Sequence, residues 1–178
     1  MEKFFNKIHI IGSVGSGKTT LAKKLSTFYS IPTYEIDNLV WESMIEGVRQ
    51  SSRERREELL KEIVQTEQWI NEGSQYHWVN QSFMKADLII LLDVSYRRRM
   101  IHIVKRYLFQ KIRIEQSDYR PSLKLLKQML QWNKDYQNYE RASILKKLEK
   151  YNDKVIVVSN RHDLKALVRE KKITVQLK

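Results

Sequence analysis

Gly12-Ser13-Val14-Gly15-Ser16-Gly17-Lys18-Thr19 governs how the rest of the chain reads. The stretch meets the pattern G-x-x-x-x-G-K-[ST] without a mismatch, and its flanks agree with it. Ile8-His9-Ile10-Ile11 upstream has the apolar density of a buried strand. Thr19-Thr20-Leu21-Ala22-Lys23-Lys24-Leu25 downstream opens a helix with Leu21, Leu25 and Phe28 on one face. Glycines let the backbone turn tightly and bring its N–H groups to an anion, and the helix N-terminus adds the positive end of a dipole. Lys18 has the reach for β- and γ-phosphates, and the Thr19 hydroxyl is a ligand for Mg²⁺. A glycine-rich turn before an ordinary helix is the plainer alternative, but strand, loop, Lys-Thr and helix are all in register. Gly12, Ser13, Val14, Gly15, Ser16, Gly17, Lys18, Thr19 and Thr20 are therefore expected to form a nucleoside triphosphate site. The loop does not identify what receives the phosphate.

Outward from the loop, the bulk properties suit one domain over residues 1–178. The chain is 42% hydrophobic and 30% charged, as a globular protein is. It has no long uncharged apolar run, so no membrane span is expected. Met1-Glu2-Lys3-Phe4-Phe5 is too short and too acidic for a signal peptide, and there is no cysteine, which suits the cytoplasm. Lys and Arg number 33 against 21 Asp and Glu, a net charge of +12 that attracts polyanions. Nucleic acid is one candidate; the phosphates of a small-molecule reaction are another. Three of the 5 glycines lie in the loop, and no linker or repeat stands out.

Three acids are expected at the C-terminal ends of strands, the edge that borders the ligand crevice in an open parallel sheet. Asp37 follows the short strand Thr33-Tyr34-Glu35-Ile36. It can bind the acceptor, orient its hydroxyl, hold water on Mg²⁺, or cap the next helical turn. Glu72 and Gly73 end Gln68-Trp69-Ile70-Asn71, where an acid suits a magnesium-water or substrate contact and the glycine permits a ligand to approach closely. Ala86-Asp87-Leu88-Ile89-Ile90-Leu91-Leu92-Asp93 reads as a central strand covered on both faces, resembling a Walker B segment. Asp93 can support Mg²⁺ through water or cap the helix beginning at Ser95. The sequence leaves the metal-side acid open among the three.

Between the first two of these strands, a helix begins after Ser51-Ser52, with Leu59, Leu60, Ile63 and Val64 on its buried side. With Trp41, Glu42 and Arg49 before it, the region at about 38–66 is expected to be an acceptor-side flap.

Beyond Asp93 lies the most basic stretch. Arg97, Arg98, Arg99, His102, Lys105, Arg106, Lys111 and Arg113 appear with no acid before Glu115. Met100, Ile103, Val104, Tyr107 and Leu108 keep helical spacing, so this is an amphipathic helix with a basic side. Arginines that swing over transferring phosphates are worth roughly 10³–10⁵ in rate. Arg98, Arg106, Arg113 and Arg120 are the expected catalytic group, with a lid at about 106–121. A solvated basic helix and a DNA-contacting face remain as alternatives.

Residues 122–151 read as helix in two segments, with Trp132, Tyr136 and Tyr139 expected to pack. Lys154-Val155-Ile156-Val157-Val158 is the last clear strand, and Asn160 and Arg161 after it are candidates for holding an adenine edge. A final helix around Leu164 and an edge strand near Ile173–Leu177 complete the reading.

The order of parts resembles the small P-loop kinases of the nucleoside monophosphate and shikimate kinase group. It resembles more closely the adenylate kinase-related DNA topology modulation proteins. Residues 10–22 and Ile31-Pro32-Thr33-Tyr34-Glu35-Ile36-Asp37-Asn38-Leu39-Val40-Trp41 carry the likeness. Trp69-Ile70-Asn71-Glu72-Gly73, residues 86–93 and Tyr119-Arg120-Pro121 continue it. The resemblance implies a three-layer α/β P-loop NTPase fold with a five-stranded parallel sheet in nucleotide-kinase order and a short lid. It also implies a site for ATP and Mg²⁺, with either a small phosphate acceptor or an effect on DNA. The Asp-Gly-x-Pro-Arg signature of adenylate kinases is absent, which argues against AMP as the acceptor.

Overall fold

A computed structural model describes residues 5–44, 47–112 and 122–160, with the backbone alone at 41–44 and 47–49. The elements in chain order are β1 (Lys7–Gly12), α1 (Lys18–Tyr29), β2 (Thr33–Glu35), β3 (Trp41–Met44), β4 (Gly47–Gln50) and α2 (Arg53–Gln65). They continue with β5 (Trp69–Gly73), α3 (Asn80–Lys85), β6 (Leu88–Leu92), α4 (Tyr96–Lys111), α5 (Leu123–Asp135), α6 (Arg141–Leu148) and β7 (Val155–Val158). Five strands form one sheet in the order β2-β5-β1-β6-β7, every pairing parallel. This is the expected architecture.

Period-2 alternation along the strands divides the core into two layers. Ile8 and Ile10 of β1, Ile70 of β5, and Leu88, Ile90 and Leu92 of β6 pack with Leu21, Ala22 and Leu25 of α1. Ile11, Trp69, Ile89 and Leu91 point the other way, onto Leu60 and Val64 of α2, Phe83 of α3, and Ile144 and Leu148 of α6. A strand covered on both faces must be apolar throughout, and β6 is buried at all five positions. His9 is the polar exception on β1. Its Nδ1 lies 2.7 Å from the Ser82 hydroxyl, which also accepts from Asn71 Nδ2 at 2.9 Å. The three form a buried polar seam between β1, β5 and α3.

Local chemistry sets the ends of several elements. The Ser52 and Ser122 hydroxyls cap α2 and α5 by accepting from the amides of Arg55 and Leu125. Asp87 accepts from the amides of Asn6 and Lys7 at 2.9 Å each, tying the entry of β1 to that of β6. The antiparallel hairpin β3–β4 is not foreseen in the sequence reading; with α2 it makes up most of the expected flap. α4 extends to Lys111, so the first residues of the expected lid are helix. Of the expected packing aromatics, Tyr136 is buried while Trp132 and Tyr139 stay exposed. The lid segment 113–121 with Arg113 and Arg120, Arg161, the final helix around Leu164 and the edge strand near Ile173–Leu177 all lie outside the described residues.

Candidate functional site

The phosphate loop joins the C-terminal end of the central strand β1 to the start of α1. Its glycines have separate steric reasons. A Cβ at Gly12 would lie 2.8 Å from the Leu92 carbonyl oxygen, so only glycine lets β1 and β6 close up there. Gly15 and Gly17 adopt φ of +73° and +94°, a region that disfavours side chains. Gly17 is the N-cap of α1 and offers no side-chain oxygen, and the first turn holds no acid. No side chain therefore caps the first turn of α1, the arrangement an anion-binding helix N-terminus requires. The Ser13 and Ser16 hydroxyls are buried without a protein partner among the described residues.

Lys18 is buried, and its Nζ donates to the Ser13 carbonyl at 3.1 Å, folding the ammonium back over the loop. Thr19 Oγ1 donates to Glu72 Oε1 at 2.5 Å. Burial pushes the Glu72 carboxyl above its ordinary range, while Lys18 and the Thr19 hydrogen bond oppose that shift. Thr20 is exposed in the first turn of α1, and Val14 is half-buried at the loop crest.

The three acids occupy different environments. Glu72 sits against Thr19. Asp37, in the first turn of the 3₁₀ helix Ile36–Val40, accepts from the Ser74 amide at 3.1 Å and from its hydroxyl at 3.1 Å, so it braces the loop after β5. The space above Gly73 belongs to this brace: a Cβ there would meet Asp37 Oδ1 at 3.1 Å and Ile36 Cβ at 3.2 Å. Its glycine serves the approach of Asp37, where the sequence reading expected the approach of a ligand. Asp93 is held by Arg141 in a two-point ion pair, Nε to Oδ1 at 2.8 Å and Nη2 to Oδ2 at 2.6 Å. Among the described residues no group of three His, Asp or Glu side chains gathers that would hold a metal alone. Magnesium bound between phosphates, a hydroxyl and water needs no such group.

α4 crosses the loop. Its first turn carries three arginines and no acid, against the preference of a helix N-terminus. Arg99 turns inward and is fully buried. Its Nε donates to Asn133 Oδ1 at 2.6 Å, Nη1 to the Val94 carbonyl at 2.5 Å and Nη2 to Gln137 Oε1 at 3.1 Å. Its guanidinium lies 4.6 Å from the centre of the Tyr136 ring. Arg99 therefore fastens α4 to α5. Its position on the stripe shared by Ile103 and Gln110 was readable from helical spacing, but a run of three arginines conceals it. His102 also acquires a role that the sequence reading did not give it: its Nδ1 lies 2.8 Å from the Gly15 carbonyl oxygen. Arg98 and Arg106 stand one turn to either side of His102, on the same helix face and exposed. Asn160 is half-buried just past the end of β7.

No protein-family model and no curated protein matches the chain. Solved structures resemble it in shape. An uncharacterized protein from Eubacterium ventriosum ATCC 27560 is 17% identical, covering 93% of this chain and 98% of its own, with a TM-score of 0.53. Shikimate kinase from Acinetobacter baumannii, solved in complex with shikimate, is 14% identical over 97% of each chain, with a TM-score of 0.52. The fold is the P-loop NTPase fold of the shikimate kinase type. A gluconokinase from Sinorhizobium meliloti 1021 aligns more loosely, at 16% identity over 95% of this chain and 91% of its own, with a TM-score of 0.48. Identities this low carry the fold and nothing finer. Among the described residues no helix is long and apolar enough to cross a membrane.

Proposed function

We propose that this chain is a Mg-ATP-dependent phosphotransferase acting on a small acceptor held at the C-terminal edge of β2 and β5. The observation that carries the reading is the meeting of the Thr19 hydroxyl with Glu72 beside the buried Lys18 ammonium, at the uncapped start of α1. ATP would supply the phosphoryl group, and Mg²⁺ would supply charge neutralisation. In this reading the loop amides from Ser13 to Thr20 grip the polyphosphate and Lys18 neutralises the transferring group. Thr19 and Glu72 are the residues that would hold the metal. Asp93, committed to Arg141, supports the site at one remove. Asp37 and Ser74 position the acceptor. Arg98 and Arg106, joined by Arg113 and Arg120 of the lid at 106–121, stabilise charge on the phosphoryl group. Asn160 and Arg161 border the base. Use of ATP and a chain without cysteine suit the cytoplasm.

A screen of ADP release across nucleotides and small hydroxyl- or phosphate-bearing metabolites tests this. The expected result is acceptor-stimulated turnover for at least one class. ATP binding with no stimulation by any of them counts against a kinase.

A second reading, an ATP-switched DNA-binding regulator, is favoured by one observation: α4 exposes Arg97, Arg98, Lys105, Arg106 and Lys111 together. The likeness to DNA topology modulation proteins, which rests on sequence alone, points the same way. This reading predicts binding to duplex DNA that weakens steeply with salt. Unchanged DNA mobility at low salt with excess protein eliminates it.

A further inference from the structure

His102 is exposed, lies on a helix distant in sequence from the phosphate loop, and yet makes a short contact to the loop's crest. The partner is a carbonyl oxygen, which only accepts, so Nδ1 carries the proton and donates. The Gly15 carbonyl shares its rigid peptide plane with the Ser16 amide, and the two point in opposite directions. Holding the carbonyl outward toward α4 turns the Ser16 N–H inward, where it meets the Ser13 carbonyl at 3.2 Å. The same crest leaves no slack on the helix side. A Cβ on Gly15 would lie 2.8 Å from the Arg99 carbonyl oxygen and 2.9 Å from Ile103 Cγ1. Arg99 in turn is fixed to α5 through Asn133 and Gln137. The α4–α5 arm and the phosphate loop are thus joined at one peptide, by a backbone contact on one side and a hydrogen bond on the other.

We propose that His102 is a positioning residue for the phosphate loop: its Nδ1–H holds the Gly15–Ser16 peptide in the orientation that aims the following amides at a polyphosphate, and so links the α4–α5 arm to the grip. The inference rests on the phosphate-binding reading of the loop. It specifies that the effect of His102 lies on the phosphates, whatever base or acceptor is attached.

Side-chain topology makes the test sharp. Asn places its Nδ2 where His places Nδ1, whereas Gln moves the donor one atom outward. Calorimetric titration of the full chain with Mg-ATP and with Mg-tripolyphosphate is compared for the native protein, His102→Asn, His102→Gln and His102→Ala. His102→Ala and His102→Gln are expected to weaken both ligands by a similar factor, roughly three- to tenfold, the size of one hydrogen bond. His102→Asn is expected to stay within about twofold of the native protein. Because the side chain is exposed, the ligand-free melting temperatures should coincide; if the Ala variant does not fold, Asn against Gln still decides. Equal binding by Asn and Gln variants overturns the proposal, as does loss confined to Mg-ATP, which would place the ring on the base. Native protein that binds neither ligand, with Lys18→Ala no different, overturns the phosphate-loop reading itself. Native binding with an unaffected His102→Ala removes the His102 role alone.

Discussion

The hydroxyl of Thr19 donates to Oε1 of Glu72 across the gap between α1 and β5, at 2.5 Å. This pairing separates Glu72 from the other two acids at the sheet edge, because Asp37 is committed to Ser74 and Asp93 to Arg141. Burial raises the Glu72 pKa above its ordinary value. An acid whose folded pKa is raised favours the fold below its unfolded pKa, and that contribution is lost as pH rises through the folded value. Keeping Glu72 ionised near neutrality therefore works against stability. Glu72→Gln is expected to melt no lower than the native protein at pH 7 while needing, on the proposed metal-side role of Glu72, at least tenfold more Mg²⁺ for half-maximal ATP binding (about 1.4 kcal/mol per factor of ten). Melting curves and magnesium titrations measure the two effects separately.

Asp93 makes the opposite prediction. Its ion pair with Arg141 joins the end of β6 to α6 and is partly exposed. Asp93→Asn leaves the Arg141 guanidinium without its counter-charge, and the expected result is a loss of about 1–2 kcal/mol of stability in urea unfolding. The magnesium requirement of ATP binding is expected to shift by less than that of Glu72→Gln. A larger magnesium shift for Asp93→Asn than for Glu72→Gln would reverse their assignments.

His9 supplies the pH dependence of the fold. Burial lowers its pKa from 6.5 to about 3. The unfolded chain therefore binds a proton that the folded chain refuses. The stabilising term is fully present above pH 6.5 and is lost as pH falls toward 3. Between pH 7 and pH 4.5 this one residue is expected to cost roughly 2–3 kcal/mol. Denaturant unfolding at the two pH values, repeated on His9→Gln, should show that much less acid sensitivity in the variant.

The sheet was legible because each of its strands obeys one rule. β6 is apolar at every position, β1 leads directly into a glycine loop, and β5 and β2 end in acids. Local pattern was enough to place the loop, α1 and these strands, while the strand order followed from the resemblance to the small P-loop kinases. What escaped the sequence depends on distant partners. Which acid faces Thr19 is decided by parallel pairing between β1 and β5, and the run of three arginines concealed that Arg99 lies on the buried stripe of α4. The contact of His102 with Gly15 spans 87 residues and has no local signature. The hairpin β3–β4 was hidden inside a stretch with no alternating pattern.

The neighbouring arginines Arg98 and Arg99 should behave as unlike residues. Arg99 is a buried cation satisfied by Asn133, Gln137 and the Val94 carbonyl, and it lies against Tyr136. Burial lowers its pKa, so the protein already carries a desolvation cost that only these partners offset. Arg99→Ala removes the cation and leaves three acceptors behind in a closed site, with an expected loss of about 3–5 kcal/mol in urea unfolding. Arg98 points to solvent one position earlier, on the face that carries His102. Arg98→Ala should stay within about 0.5 kcal/mol of the native stability. Its effect is expected in turnover, as a fall in kcat at unchanged ATP affinity, because a group that meets the phosphoryl charge as it develops contributes to the transition state and little to the ground state. Unfolding curves on both variants, and single-turnover kinetics on Arg98→Ala once an acceptor is in hand, check the contrast. Equal stabilities for the two variants would show that the α4–α5 junction does not depend on Arg99.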